Sequence, residues 1–147
     1  MQYTIREIEP KDFDTLIDIF KEFALFEKTP EKMINSAQQM ESEKEFINGF
    51  VALDSNNNIA GYVTWFFAYY TWVGKSMYMD DLYVRQERRG NGLGTQLINR
   101  VIEKAKTENC KRLRWQVSDW NKPAIAFYGR LGATIDSVEL NCDLTLV

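Results

Sequence analysis

The chain of 147 residues is 45% hydrophobic, 14% aromatic and 27% charged, the length and apolar content of one domain with its own core, which excludes disordered and low-complexity classes. Eighteen Lys+Arg against 21 Asp+Glu leave a formal charge of -3, so neither nucleic acid nor an anionic membrane is an expected partner. Histidine is absent, and Cys110 and Cys142 form no Cys-x-x-Cys pair; no metal site and no histidine-dependent triad is therefore expected. There is no run of ~18 apolar residues, and the first residues lack a leader pattern, so a cytoplasmic location is expected.

In chain order, residues 3–8 alternate as a short strand, and Pro10-Lys11-Asp12 opens a helix with Phe13, Leu16, Ile17, Phe20, Phe23 and Ala24 at helical spacing. Thr29-Pro30 interrupts it, and residues 31–48 read as a weakly patterned helical stretch with Met33, Ala37, Met40, Phe46 and Ile47 as apolar points. Residues 50–53 and 59–69 read as a hairpin about the asparagine-rich turn at 54–58, followed by a turn near Trp72-Val73-Gly74 and a strand over 75–84. Residues 92–109 give the clearest amphipathic helix, with Leu93, Leu97, Ile98, Val101, Ile102 and Ala105 inward and Arg100, Glu103, Lys104 and Lys106 outward. Residues 112–117 read as a strand, 123–131 as a helix begun by proline and stopped by Gly132, and 135–147 as two short strands. The order βα(α)βββαβαββ joins an antiparallel meander to a strand–helix–strand unit that must pair in parallel. The fold class is α/β (α+β), with a mixed, mostly antiparallel sheet flanked by helices.

Arg89-Gly90-Asn91-Gly92-Leu93-Gly94-Thr95 stands between a strand and the strongest helix. Glycine lets a ligand approach the backbone, and a helix start offers unpaired N–H groups and a positive dipole end, so the natural guest is phosphate. A P-loop would need Gly-x-x-x-x-Gly-Lys-Ser/Thr, and the dinucleotide fingerprint Gly-x-Gly-x-x-Gly; neither fits Gly90, Gly92 and Gly94.

Read as Arg-x-x-Gly-x-Gly, Arg89, Gly92 and Gly94 resemble the loop that holds the acetyl-CoA pyrophosphate in the GNAT superfamily of N-acetyltransferases. Asp81-Leu82-Tyr83-Val84 resembles that family's splayed strand, which hydrogen-bonds the pantetheine arm; Trp120-Asn121-Lys122-Pro123-Ala124-Ile125-Ala126-Phe127-Tyr128 resembles its motif B. Within the superfamily, Trp72-Val73-Gly74-Lys75, Asp80-Asp81 and the motif B run resemble the spermidine/spermine and thialysine acetyltransferases. The resemblance covers most of the chain and implies a GNAT fold over 1–147, direct transfer of acetyl from acetyl-CoA to a small cationic amine, no metal, and a homodimer. It implies cofactor contacts at Leu82, Tyr83, Val84, Arg89, Gly90, Asn91, Gly92, Leu93, Gly94, Thr95, Asn121, Ala124 and Tyr128.

Acetylating an ammonium group requires removing a proton near pKa ~10 and protonating a departing thiolate. By resemblance Asp80 takes the first proton and Tyr128 supplies the second, while Phe26, Glu27, Trp72, Asp80 and Asp81 contact the acceptor. From the residues alone, Asp80, Asp81 and Glu27 fit solvated charges equally well, Tyr128 fits a core aromatic and Asn121 a helix cap. Here Tyr70 stands where the polyamine enzymes carry an acid, which weakens the expectation of long polyamines. Acetylation of a protein or peptide amine, and a non-catalytic acetyl-CoA-binding module, are the alternatives. Cys110 and Cys142 read as inert thiols.

Overall fold

Asp12 fixes the entry to the first helix. Its carboxylate accepts from the Glu9 N–H at 2.8 Å and from both terminal nitrogens of Arg6 at 2.8 Å. These bonds end strand β1 (Thr4–Glu7) and turn the chain through Pro10–Asp12 into helix α1 (Phe13–Phe26). The structure, a computed structural model, describes residues 2–146. The chain divides into two units, Met1–Gln116 and Val117–Val147.

In the first unit the stretch 31–48 is not one helix. It breaks into a single turn at Pro30–Lys32, helix α2 (Ala37–Ser42) and a second turn at Lys44–Phe46. Proline starts the first turn, and Ser36 caps α2 by accepting from the Gln39 N–H at 3.1 Å. Only Met40 of α2 is buried, so no apolar stripe extends the helix further. Strands β2 (Asn48–Leu53), β3 (Ile59–Tyr70) and β4 (Gly74–Val84) form the antiparallel meander. Helix α3 (Leu93–Thr107) then crosses to β5 (Leu113–Arg114), and the sheet order is β1-β2-β3-β4-β5.

The strand read over 112–117 shortens to two residues, because β5 pairs with β4 in parallel only at Met77↔Leu113 and Tyr78↔Arg114. Beyond Tyr78, β4 continues to Val84 paired with β3 alone. The sheet therefore splays at this one parallel pair.

One core lies under α1, where Phe13, Leu16, Ile17 and Ile19 meet Val51, Tyr62 and Tyr83. On α3, Leu93, Leu97, Ile98, Val101 and Ala105 are buried, the face expected from their spacing. Gly61 permits that helix to lie close: a Cβ there would come within 2.8 Å of the Tyr83 carbonyl oxygen and 3.3 Å of Leu97. Arg100, read as an outward charge, instead donates to the Ile5 carbonyl at 3.2 Å and covers the Phe50 ring at 4.8 Å. Its long stem reaches over the sheet edge while its head finds a backbone acceptor.

In the second unit, helix α4 (Lys122–Arg130) is followed by Gly132 at φ 91. The two terminal strands expected over 135–147 do not form across the described residues, and Val147 lies outside them. Val138, Leu140, Leu144 and Leu146 keep the alternation of a strand, yet each is more than four-fifths exposed. Alternation alone supplies no ladder; a strand needs a neighbour for its N–H and C=O groups. Among the described residues no helix is long and apolar enough to cross a membrane.

Candidate active site

The register of β3 and β4 breaks at one point. Thr64 pairs with Asp81 and Trp65 with Met79, leaving Asp80 as the extra residue of a β-bulge. A bulge interrupts strand alternation and re-aims side chains; here it falls on two consecutive carboxylates, immediately past the point where β5 ends its pairing. Asp81 is held on two sides: its N–H donates to Thr64 Oγ1 at 3.2 Å, and the Tyr62 hydroxyl donates to its Oδ2 at 2.7 Å. Burial, then the charge of Asp80, raises the Asp81 carboxyl to about 7; Glu27 adds to the rise and the Tyr62 bond opposes it. Burial also raises Asp80. Two neighbouring carboxyls of this kind titrate as a pair and can hold or take a proton near neutral pH.

Past Val84 three arginines fasten the chain. Arg85 binds Glu22 at 3.1 Å, Arg88 binds Asp54 at 2.7 Å, and Arg89 Nε donates to the Val84 carbonyl at 2.8 Å. The Arg89 guanidinium lies over the rings of Phe26 and Tyr83, at 4.8 Å and 5.3 Å. Gly90 and Gly92 adopt φ 86 and 77, and a Cβ on either would meet nothing within 4 Å. Gly92 is the N-cap of α3 and supplies no capping side chain. The N–H groups of Leu93, Gly94 and Thr95 therefore begin a helix without acceptors from its own backbone. Open space above the glycines, a bare helix start and an arginine alongside fit a pyrophosphate.

Of the other cofactor candidates in this unit, Leu82 and Val84 are half-buried on the splayed half of β4, while Tyr83 is a core side chain, stacked on Phe23 at 4.8 Å. The Tyr83 hydroxyl donates to Glu22 at 2.6 Å, so its ring serves the core. Asn91 Nδ2 donates to the Arg88 carbonyl at 3.4 Å and Thr95 is exposed.

Of the acceptor candidates, Phe26 and Glu27 end α1; Phe26 lies against Tyr83, and the Glu27 charge acts on Asp81. Trp72 does not join them within one chain. It stands 97% exposed in the β3–β4 turn, and the six strand steps from Gly74 to Asp80 span roughly 20 Å. In the second unit, Asn121 Oδ1 accepts from the Ala124 N–H at 3.3 Å and caps α4. Tyr128 is buried there, its ring 5.4 Å from that of Phe127. Among the described residues no cluster of three or more His, Cys, Asp or Glu side chains could hold a metal ion.

Four residues escaped the sequence reading: Tyr62, Thr64, Asp54 and Arg88. Tyr62 and Thr64 look like ordinary strand positions, and their partner Asp81 lies 19 and 17 residues away. Asp54 carried a turn signal, but its second role, gripping Arg88 across 34 residues, has no local signature.

The splayed mixed sheet, the glycine loop and the helix start are those of an acetyl-transferring enzyme. The profile of the Acetyltransferase (GNAT) family matches residues 13–133, and the chain belongs to that family. It is 36% identical over 140 residues to thialysine N-epsilon-acetyltransferase of Caenorhabditis elegans, covering 94% of this chain and 84% of that one. The mouse protein of the same name is 33% identical over 140 residues, covering 88% and 82%. Among solved structures, a transcriptional regulator from Bacillus halodurans C-125 superimposes with TM-score 0.82 at 22% identity, over 97% of this chain and 100% of that one. An integron cassette protein from V. cholerae gives 0.78 at 24%, over 99% and 93%.

Proposed function

We propose that the enzyme acetylates the primary amine of a small cationic acceptor, a lysine analogue or a short diamine, using acetyl-CoA. The observation that carries this reading is the bulge in β4, which presents Asp80 and Asp81 consecutively beside the splayed strand and within reach of the Glu27 charge. Its support from relatives is the thialysine acetyltransferases and an L-ornithine N5-acetyltransferase of Arabidopsis thaliana, 34% identical over 88 residues. Gly92, Gly94, Arg89 and the start of α3 would hold the pyrophosphate, with Asn91, Leu93 and Thr95 beside it and the backbone of Leu82–Val84 along the pantetheine arm. Bound there, acetyl-CoA supplies a thioester carbonyl. Asp81 and Glu27 hold the ammonium by charge, and Asp80 accepts its proton, directly or through water, so that the nitrogen lone pair is free to form the C–N bond. As that bond forms the C–S bond would break; by the resemblance of the motif B run, Tyr128 would give its proton to the leaving sulfur, and the second proton that the nitrogen sheds on becoming an amide would pass to water and restore the phenol.

The test is thiol release from acetyl-CoA against thialysine, lysine, ornithine, diamines, polyamines, acidic amino acids and aminoglycosides. Cationic lysine analogues or short diamines should show the highest kcat/KM. Asp80→Asn should lower kcat and steepen the dependence on alkaline pH, whereas Glu27→Gln should raise KM with kcat nearly kept. An acidic amino acid as the best acceptor would overturn the cationic reading.

A further inference from the structure

The adjacent carboxyls of β4 are not equivalent, and the difference comes from β3. Tyr62 has no exposed surface, and its ring is wedged between Phe20 at 5.1 Å and Tyr83 at 6.3 Å. A ring so confined keeps its hydroxyl at one place, and that place is Asp81 Oδ2, 2.7 Å away. The Thr64 contact fixes the backbone of the same residue. Asp81 Oδ1 has no hydrogen-bond partner among the described residues. Asp80, the bulge residue, presents more of its surface to solvent than Asp81 and has no such tether among the described residues.

We infer that Tyr62 is a positioning residue for the acceptor amine: its buried hydroxyl anchors one oxygen of Asp81 so that the other receives the substrate ammonium, leaving the untethered Asp80 to take the proton. This rests on the proposed reading of the carboxylate pair and adds the division of labour within it. A phenol held as a donor also stabilises the ionised form of its acceptor. Tyr62 stays protonated, because burial and then the charge of Asp81 push its own ionisation well above the ordinary range. The bond therefore opposes the burial and the charges of Asp80 and Glu27, the other groups acting on Asp81.

Tyr62→Phe removes one oxygen and keeps the ring. In the protein without substrates, carboxyl NMR should show the Asp81 titration moving upward by roughly half a unit or more. With the best acceptor of the panel, KM at pH 7 should rise roughly threefold to tenfold with kcat nearly kept, and the defect should fade toward pH 9 as Asp81 ionises regardless. A packing role would give a defect independent of pH and an unmoved Asp81 titration, and that result would overturn the inference. Asp81→Asn should raise KM at every pH, and adding Tyr62→Phe to it should change little more. Should Asp81→Asn leave KM native-like, the reading of Asp81 itself falls and Tyr62 with it; should Asp81→Asn raise KM while Tyr62→Phe does not, only the assignment of Tyr62 falls.

Discussion

Arg88 binds the Asp54 carboxylate at 2.7 Å, which ties the chain just before the glycine loop to the turn between β2 and β3. Asp54 also accepts from the N–H groups of Asn56 and Asn58, at 2.8 and 2.9 Å. One carboxylate thus shapes the turn and steadies a loop distant in sequence. Its bond to Arg88, followed by the Asn58 N–H, holds it below the usual carboxylate range. Asp54→Ala should leave a folded protein whose CoA affinity falls by roughly tenfold, the scale of one charge-assisted hydrogen bond. Calorimetry with CoA checks this; unchanged affinity would mean the loop holds its shape without the anchor.

Gly92 and Gly94 should fail for different reasons. At φ 77 any L residue replacing Gly92 is strained by about 1–2 kcal/mol before a ligand arrives. A Cβ at Gly94 meets only Val84 Cγ2 at 3.9 Å, so Gly94→Ala should melt close to the native temperature. Both substitutions should weaken CoA binding by ~10-fold or more, because side-chain atoms then stand where phosphate must approach the helix start. Native-like CoA binding in a folded Gly94→Val variant would place the pyrophosphate elsewhere.

Tyr128 tests the proton donor. Tyr128→Phe keeps the buried ring of α4 and removes only the hydroxyl, so kcat should fall by ~100-fold while CoA affinity stays near native. Full turnover in steady-state assays would reduce Tyr128 to packing.

The Asp81 carboxyl, raised to about 7 by burial and the Asp80 charge, makes stability depend on pH. The unfolded chain releases this proton near pH ~4 and the folded protein only near 7, so the fold binds the extra proton between those limits. Stability from this group is full below pH ~4 and declines as the pH rises to ~7. Asp81→Asn should flatten that decline and leave the variant more stable than the native protein at pH 8, by about 1–2 kcal/mol once solvent access is allowed for. Melting curves from pH 4 to 8 measure it; parallel slopes for the two proteins would mean that Asp81 is already ionised throughout.

The sequence by itself determined the elements whose signal is local. The apolar spacing of α3, the strands of the meander, the asparagine turn and the glycine loop need only neighbours within a turn or a hairpin, and each stands within a residue or two of where its pattern ends. The place of the loop was equally legible, because glycines between a strand and an amphipathic helix mark a helix start, where Gly90 and Gly92 take positive φ. Tertiary structure alone decided what depends on pairing. The β4 bulge is a property of register between two strands, so Asp80 and Asp81 read as a mere doublet until Thr64 and Met79 fix which of them is the extra residue. Tyr62 and Arg88 acquire their roles from carboxylates 19 and 34 residues away. The alternation near the C-terminus, with no ladder to join among the described residues, shows the converse. Periodicity reports which face a strand would bury, whereas hydrogen bonds to a partner decide whether the strand exists.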